Sequence, residues 1–163
     1  MSAMTNAGLI SENTFSFSIA PFGQESFMDF GVPNASRMRD ASEMQYIDLN
    51  DDFYWSANTQ GFSIGDTTNS WAWGAIKDAD ATVNKNEVYS IFDTGASAII
   101  FPTDYFGSFL TEMFNEMGGD EYELSAGYVV TKCYDDFPTV HFLFGEKWIA
   151  IDPRDYVVDI SDT

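Results

Sequence analysis

The sequence has few basic residues, one cysteine and no long apolar run. Seven Lys and Arg stand against 26 Asp and Glu, which gives a formal net charge of −19 at pH 7. This charge disfavours binding to nucleic acids and to anionic membrane surfaces, because both are polyanionic. No apolar stretch is long enough to span a bilayer, and polar and small residues follow Met1 where a signal peptide would need basic and then apolar ones. We therefore expect no nucleic-acid partner and no membrane insertion.

The scarcity of cysteine and histidine also limits the chemistry. Cys133 has no partner within this sequence, so it is either a free thiol or half of a disulfide whose other half lies elsewhere. His141 lies in an apolar run with no nucleophile near it in sequence, and we expect it to be structural. Residues 78–84 begin like a calcium loop, but Val83 stands where such a loop needs glycine. We expect no metal and no cofactor.

Aromatic and aliphatic side chains are abundant and predict a folded domain. Hydrophobic residues make up 45% of the chain, with 15 Phe, 8 Tyr and 4 Trp, which is enough for a sizeable core. Short apolar runs, each broken by Asn, Asp, Gly or Thr, predict an all-β fold whose middle part is a meander. The predicted strands span residues 15–19, 26–30, 46–49, 53–57, 61–64, 70–75, 88–92, 128–131, 139–144, 147–151 and 156–160.

One helix is predicted among the strands, at about residues 103–117. Phe106, Leu110 and other apolar side chains recur there at helical spacing. Thr103 is placed as an N-cap, and Gly118 with its following glycine is placed as a stop signal.

Residues 91–102 carry a strand into an acidic turn. They are Ile-Phe-Asp-Thr-Gly-Ala-Ser-Ala-Ile-Ile-Phe-Pro. This run resembles the active-site motif of pepsin-like aspartic proteases, peptidase family A1, in which an apolar strand leads into Asp-Thr-Gly, a small residue, Ser, further apolar residues and Pro. Other segments resemble parts of the second half of a pepsin-like chain in the same order; they are residues 8–17, 27–31, 53–55 and 133–144. The resemblance covers nearly the whole chain.

This resemblance implies the C-terminal lobe of the bilobal acid-protease fold. Residues 1–31 would form interlobe strands and the end of the N-terminal lobe, and residues 32–163 would form an incomplete C-terminal lobe. Nothing corresponds to an N-terminal lobe with its own Asp-Thr-Gly or to the late closing segment, so we expect truncation at both ends. The family's equivalent of Cys133 pairs with a later cysteine, which implies a disulfide to a residue outside this chain.

The resemblance also implies an endopeptidase. Two close carboxylates can hydrolyse a peptide without a metal, one as a base on water and the other as an acid towards the carbonyl. Asp93 would be one of them, and the other would come from an N-terminal lobe of the same precursor or of a separate chain. Thr94 would hydrogen-bond across the lobe interface, and Gly95 would let the backbone approach the carboxylate. Ser97 would contact the substrate backbone or serve as a turn residue.

Position 96 carries information of its own. Many pepsin-like enzymes have Thr or Ser there, and the hydroxyl donates to the outer carboxylate oxygen and favours its ionised form. Ala96 cannot donate this bond. We therefore expect activity to persist closer to neutral pH than in a Thr-bearing homologue.

Three readings of the function stay open at this point. The first is a two-lobe endopeptidase that cleaves peptide or protein substrates beside apolar side chains. The second is a non-catalytic pepsin-like module that binds or scaffolds within a larger assembly. The third is a homodimer with one aspartate from each subunit, disfavoured because the lobe is built for a different partner. Family habit and acidity predict secretion or an acidic vacuole or lysosome, where Asn34 of Asn-Ala-Ser would be an N-glycosylation site.

Overall fold

The computed structural model describes residues 1–20, 23–68, 88–119, 121–133 and 136–160, together with the backbone of residues 70–72. Strands predominate over helices, and the all-β class predicted from the sequence is confirmed. The chain forms two compact units, Met1–Tyr46 and Ile47–Thr163. The boundary predicted between residues 31 and 32 separates interlobe strands from the C-terminal lobe rather than compact units, and it stays a prediction.

The first unit is built on a short helix and a hairpin. Helix α1 (Ser2–Asn6) precedes strands β1 (Phe15–Ser18) and β2 (Phe27–Phe30), which pair antiparallel from Phe15↔Phe30 to Ser18↔Phe27. Thr14 and Gly31 close the open end of the hairpin, since the Gly31 amide donates to the Thr14 carbonyl over 2.8 Å and the Thr14 hydroxyl donates back to the Gly31 carbonyl. The two predicted strands are confirmed, while Pro21 and Phe22 between them lie outside the described residues.

The alternation of apolar residues with serine in residues 15–19 predicts a strand with one buried face, and this expectation of burial is wrong. Phe17 is 46% exposed and Ile19 is 67% exposed, although both alternate with polar residues as in a half-buried strand. Alternation predicts which side chains share a face, whereas burial depends on what covers that face. Neither strand of the hairpin pairs with another described strand.

Two 3-10 turns, Ala35–Arg37 and Ala41–Glu43, follow the hairpin. Nη1 of Arg37 lies 2.7 Å from each carboxylate oxygen of Asp29, and its guanidinium carbon lies 3.8 Å from the centroid of the Phe27 ring. The ion pair and the cation–π contact tie the first turn to β2.

The second unit contains eight described strands in three antiparallel sheets. They are β3 (Ser56–Thr59), β4 (Gly61–Ile64), β5 (Ser70–Ala72), β6 (Val88–Ile91), β7 (Tyr122–Ser125), β8 (Tyr128–Thr131), β9 (Val140–Phe144) and β10 (Lys147–Ile151). The sheet orders are β10-β9-β4-β5, β3-β6 and β7-β8. The predicted meander is wrong, because β4 pairs with β9 and β3 pairs with β6. A single sequence predicts strands from local patterns but does not show which distant strands will pair.

Helix α2 (Thr103–Glu116) confirms the predicted helix and packs on the four-stranded sheet. The buried core cluster joins both elements; it consists of Phe62, Ile64, Tyr105, Met113 and Val140. Gly118 has a φ of +67°, and the following glycine amide donates to the Phe114 carbonyl over 3.0 Å, so the predicted stop is confirmed.

The predicted N-cap of α2 is wrong by one residue. Pro102 occupies the cap, and its carbonyl accepts bonds from the amides of Tyr105 and Phe106. Thr103 is the first helical residue, and no side chain caps the helix. Proline supplies the extended backbone of a cap but has no side-chain acceptor. The neighbouring threonine has one, and the sequence pattern therefore favoured Thr103 as the cap.

Three further strand predictions differ from the structure. Residues 46–49 form no strand, and the strand predicted at 53–57 begins only at Ser56. Residues 157–160 form no strand either, and Tyr156 ends helix α3 (Pro153–Tyr156). Proline at the first position after Asp152 is a helix-start signal that the apolar pattern obscured. Strand β7 was not predicted, and all its residues are exposed.

Candidate active site

Asp93 lies just beyond the end of the two-stranded ribbon that β6 forms with β3. The register of this ribbon runs from Thr59↔Val88 to Ser56↔Ile91. The ladder continues one residue further, because the Phe92 amide donates to the Trp55 carbonyl over 2.7 Å. Asp93 therefore follows directly on the last residue that the ladder holds.

The residues on both sides of the acidic turn are anchored in aromatic contacts. The Phe92 ring lies 5.5 Å from the ring of Phe144, the last residue of β9. On the other side, the Phe101 ring lies 4.3 Å from that of Phe109 in α2 and 5.7 Å from that of Phe62 in the core. The exposed segment between Phe92 and Phe101 is thus fixed at each end by packing.

The carboxylate of Asp93 caps its own turn. Its Oδ1 accepts a hydrogen bond of 2.8 Å from the Gly95 amide, and its carbonyl accepts one of 3.1 Å from the Ala96 amide. A Cβ on Gly95 would lie 3.2 Å from Oδ1 of Asp93, which is closer than such contacts ordinarily allow. Glycine at position 95 therefore leaves space for the carboxylate to approach the backbone.

The remaining predicted site residues lie on an exposed surface. Thr94, Ala96 and Ser97 are all exposed, as is Asp93 itself. Within the described part of the chain, the hydroxyls of Thr94 and Ser97 make no hydrogen bond to another side chain or to the backbone. The structure brings Asp93 and Gly95 together, while the roles expected for Thr94, Ala96 and Ser97 stay predictions.

The other candidate residues lie away from this turn. Cys133 is exposed and follows β8. Asn34 is exposed, and its Oδ1 accepts from the amide and the hydroxyl of Ser36 over 3.1 and 2.8 Å. His141 is half-buried in β9, and this burial lowers the pKa of its imidazole. The negative charges of Asp152 and Asp66 raise the pKa, but by less than burial lowers it.

No metal centre is found in the part of the chain that the structure describes. There, no three His, Cys, Asp or Glu side chains lie where they could share an ion. Residues 78–84, the calcium loop rejected from the sequence, lie outside the described residues. Along the same described ranges, no helix combines the length and the apolar character needed to cross a membrane.

Sequence reasoning missed a group of residues beside the acidic turn. Asp51 accepts hydrogen bonds from the Phe53 amide and the Tyr89 hydroxyl, and the carbonyl of Trp55 receives the Phe92 amide. The run Asn-Asp-Asp before Phe53 is a turn signal that could have indicated a capping aspartate. Nothing in the sequence indicates that the Tyr89 hydroxyl would reach it.

Comparison with known proteins bears on this site and fold. The model of the family described as eukaryotic aspartyl protease matches residues 1–163. The chain belongs to this family. Its all-β fold is consistent with a pepsin-like lobe, and the resemblance to pepsin-like enzymes is confirmed.

Named relatives of this aspartyl protease chain are pepsin-like enzymes of two kinds. It is 29% identical over 164 residues to a protein of Arthroderma benhamiae named probable vacuolar protease A, covering 98% of this chain and 36% of that protein. It is 22% identical over 116 residues to gastricsin of Rattus norvegicus, covering 71% of this chain and 26% of gastricsin. The chain thus spans about a third of the length of these curated relatives.

The geometry at Asp93 is suited to half of an acid–base pair. One carboxylate oxygen is held by a backbone amide and the side chain faces solvent, so a water or a second carboxyl group can reach it. A single carboxylate cannot serve as base and as acid in the same step. The arrangement therefore requires a second proton-carrying group for peptide hydrolysis without a metal.

Proposed function

We propose that this chain is the C-terminal lobe of an aspartic endopeptidase and that Asp93 is one of its two catalytic aspartates. The observation that carries the proposal is the turn at the end of β6, where the Gly95 amide holds Oδ1 of an exposed Asp93 at 2.8 Å. Family membership supports the reaction class. The second aspartate comes from an N-terminal lobe, because this sequence contains a single Asp-Thr-Gly.

In the proposed reaction, one carboxyl group acts as general base and the other as general acid. One carboxylate accepts a proton from water as the water attacks the peptide carbonyl, while the protonated partner donates to the carbonyl oxygen. The resulting tetrahedral intermediate then collapses: the carboxyl group that took the proton from water donates a proton to the leaving nitrogen. The other carboxylate takes a proton back from a hydroxyl of the intermediate, which restores the starting pair. Asp93 requires a fixed orientation for either role, and its bond to the Gly95 amide provides one.

The surface around Asp93 favours substrates with apolar side chains. Ile91 and Phe92 precede the acid and are 50% and 47% exposed. Trp55, whose carbonyl receives the Phe92 amide, is also more than half exposed. Apolar side chains of a bound peptide would cover this surface and remove it from water, which is favourable by roughly 25 cal/mol per Å² of apolar area.

Three further proposals follow from the same assignment. Cys133 forms a disulfide with a cysteine outside this sequence, and its exposed thiol permits one. Asn34 carries an N-linked glycan, since its side chain is exposed and already contacts the Ser36 hydroxyl of the sequon. The protein acts in a secreted or vacuolar setting, a proposal supported by its similarity to vacuolar protease A.

The decisive experiment is hydrolysis of an apolar fluorogenic peptide by native material that contains every companion chain. The rate is measured from about pH 3 to about pH 7, with and without a statine-type mimic of the tetrahedral intermediate. Cleavage that the mimic abolishes would support the two-lobe endopeptidase. Absence of cleavage with all chains present would instead favour the non-catalytic module, whose peptide binding would persist without turnover.

A further inference from the structure

Residues 50–55 form a loop directly before β3 and next to the end of β6. Its base is closed by Asn50, whose amide donates to the Ser56 carbonyl over 3.0 Å. The Asn50 side chain continues this closure, because its Oδ1 accepts from the Ser56 hydroxyl over 2.8 Å and its Nδ2 donates to Oδ1 of Asn58. The bonds between Asn50 and Ser56 therefore hold the two ends of the loop together at the start of β3.

The Asp51 side chain accepts hydrogen bonds from two backbone amides of this loop. Its Oδ1 accepts from the Phe53 amide over 2.5 Å and from the Tyr54 amide over 3.3 Å. These bonds hold residues 51–54 in one turn. They also lower the pKa of the Asp51 carboxyl, with the Phe53 amide as the largest cause and the Tyr89 hydroxyl next.

The second oxygen of the same carboxylate joins the loop to β6. The Tyr89 hydroxyl donates to Oδ2 of Asp51 over 2.9 Å. Tyr89 pairs with Asn58 in the ribbon and lies four positions before Asp93. One aspartate thus uses both oxygens, one for its own loop and one for the strand that carries the proposed catalytic residue.

These contacts close a ring that includes the residue before Asp93. From Asp51 the ring passes through the loop to the carbonyl of Trp55, which accepts from the Phe92 amide over 2.7 Å. From Phe92 it returns along β6 to Tyr89 and to Asp51. The Trp55 carbonyl is the partner that extends the ladder beyond Ile91, so the position of the loop fixes the backbone from which Asp93 projects.

We propose that Asp51 and Tyr89 are positioning residues that act on Asp93 through the Trp55 carbonyl and the Phe92 amide. This inference rests on the proposed endopeptidase function. Its physical basis is that a displacement of about 1 Å at a reacting group can lower the rate up to a hundredfold, although the displaced parts never touch the substrate. Substitution of Tyr89 or Asp51 should leave the core of the unit intact, since Tyr89 is not among the hydrophobic side chains packed against the buried cluster and Asp51 holds an exposed loop.

The test is Tyr89→Phe in the complete enzyme, followed by amide hydrogen exchange and by kinetics with the apolar peptide. We expect faster exchange at the Phe53 and Phe92 amides, kcat lowered about tenfold and KM changed less than about twofold. The matched control is Tyr128→Phe, which removes a hydroxyl from a similarly exposed tyrosine on the β7–β8 hairpin. It should leave exchange at Phe92 and both kinetic constants unchanged.

Substitutions of Asp51 provide a graded second series. Asp51→Asn keeps an acceptor for the Phe53 amide, so we expect a smaller effect than for Asp51→Ala, which removes both links. Unchanged exchange at the Phe92 amide, or unchanged kcat in an enzyme whose wild type cleaves the peptide, would overturn the positioning role alone. A wild type that cleaves nothing with all chains present would overturn the proposed function, and the exchange data would still show whether the ring holds Phe92.

Discussion

The Gly95 amide donates a hydrogen bond of 2.8 Å to Oδ1 of Asp93. This bond orients a carboxylate that is otherwise exposed to solvent, and a Cβ at position 95 would lie 3.2 Å from Oδ1 and crowd it. The backbone on the two sides of the turn is held by the Phe92 and Phe101 rings. A mobile surface acid would lack these restraints, so the turn is suited to a reaction that requires a fixed proton acceptor.

Gly95→Ala should lower activity without unfolding the protein. The added Cβ would lie 3.2 Å from Oδ1 of Asp93, so the carboxylate must move away from the amide. We expect kcat to fall by about tenfold or more, with a small change in the melting temperature. The control is Gly107→Ala in α2, where a Cβ meets nothing within 4 Å. This variant should keep full activity and gain about 0.5–1 kcal/mol of stability, and an equal loss of kcat in both variants would contradict the account.

Ala96→Thr should narrow the pH range of activity on its alkaline side. A Thr hydroxyl at this position can donate to the outer carboxylate oxygen and favour the ionised form of the acid pair. We expect the alkaline limb of kcat/KM to move towards acid by about half a pH unit or more. Ala150→Thr, at an exposed position of β10, is the control for adding a hydroxyl. An alkaline limb that does not move in Ala96→Thr would refute the role given to position 96.

His141→Phe should make the fold more tolerant of acid. Nδ1 of His141 is buried and has no hydrogen-bond partner among the described residues, and burial lowers the pKa of the imidazole below 6.5. A lowered folded-state pKa means that the unfolded chain binds the proton first, so stability is lost as pH falls from about 6.5 through the folded-state pKa.

Urea unfolding of the wild type and of His141→Phe at about pH 7 and about pH 5 checks this prediction. The loss of unfolding free energy between the two pH values should be smaller in the variant. The Phe side chain keeps an aromatic contact with Trp148, whose ring centroid lies 6.4 Å from that of His141. An identical pH dependence in the two proteins would mean that His141 has the same pKa in the folded and unfolded states, which would contradict the prediction.

Local sequence patterns predicted most of the elements but few of their neighbours. The spacing of Phe106, Leu110 and Met113 predicted α2, and the apolar runs at 139–144 and 147–151 predicted the strands that became β9 and β10. The pairing of β4 with β9 and the exposure of Phe17 depend on distant parts of the chain, which local periodicity does not show.

The candidate site was predicted to a similar extent. The residues 91–102 were sufficient to select Asp93 as a candidate and to predict its close approach to the Gly95 backbone, since that contact is local to one turn. The link from Tyr89 to Asp51 joins residues that are far apart in sequence, and neither has a pattern that predicts the other. The helix cap illustrates the same limit at short range, because Pro102 and Thr103 both suit the start of a helix.

The measurement that tests the central proposal most directly is cleavage of an apolar peptide by the complete enzyme and by its Asp93→Asn variant. Asp155→Asn is the matched control, because it removes a charge from another exposed aspartate, in α3. We predict that Asp93→Asn loses about a thousandfold in kcat while Asp155→Asn keeps wild-type activity. Cleavage that survives Asp93→Asn at the wild-type rate would contradict the assignment of Asp93 as a catalytic aspartate.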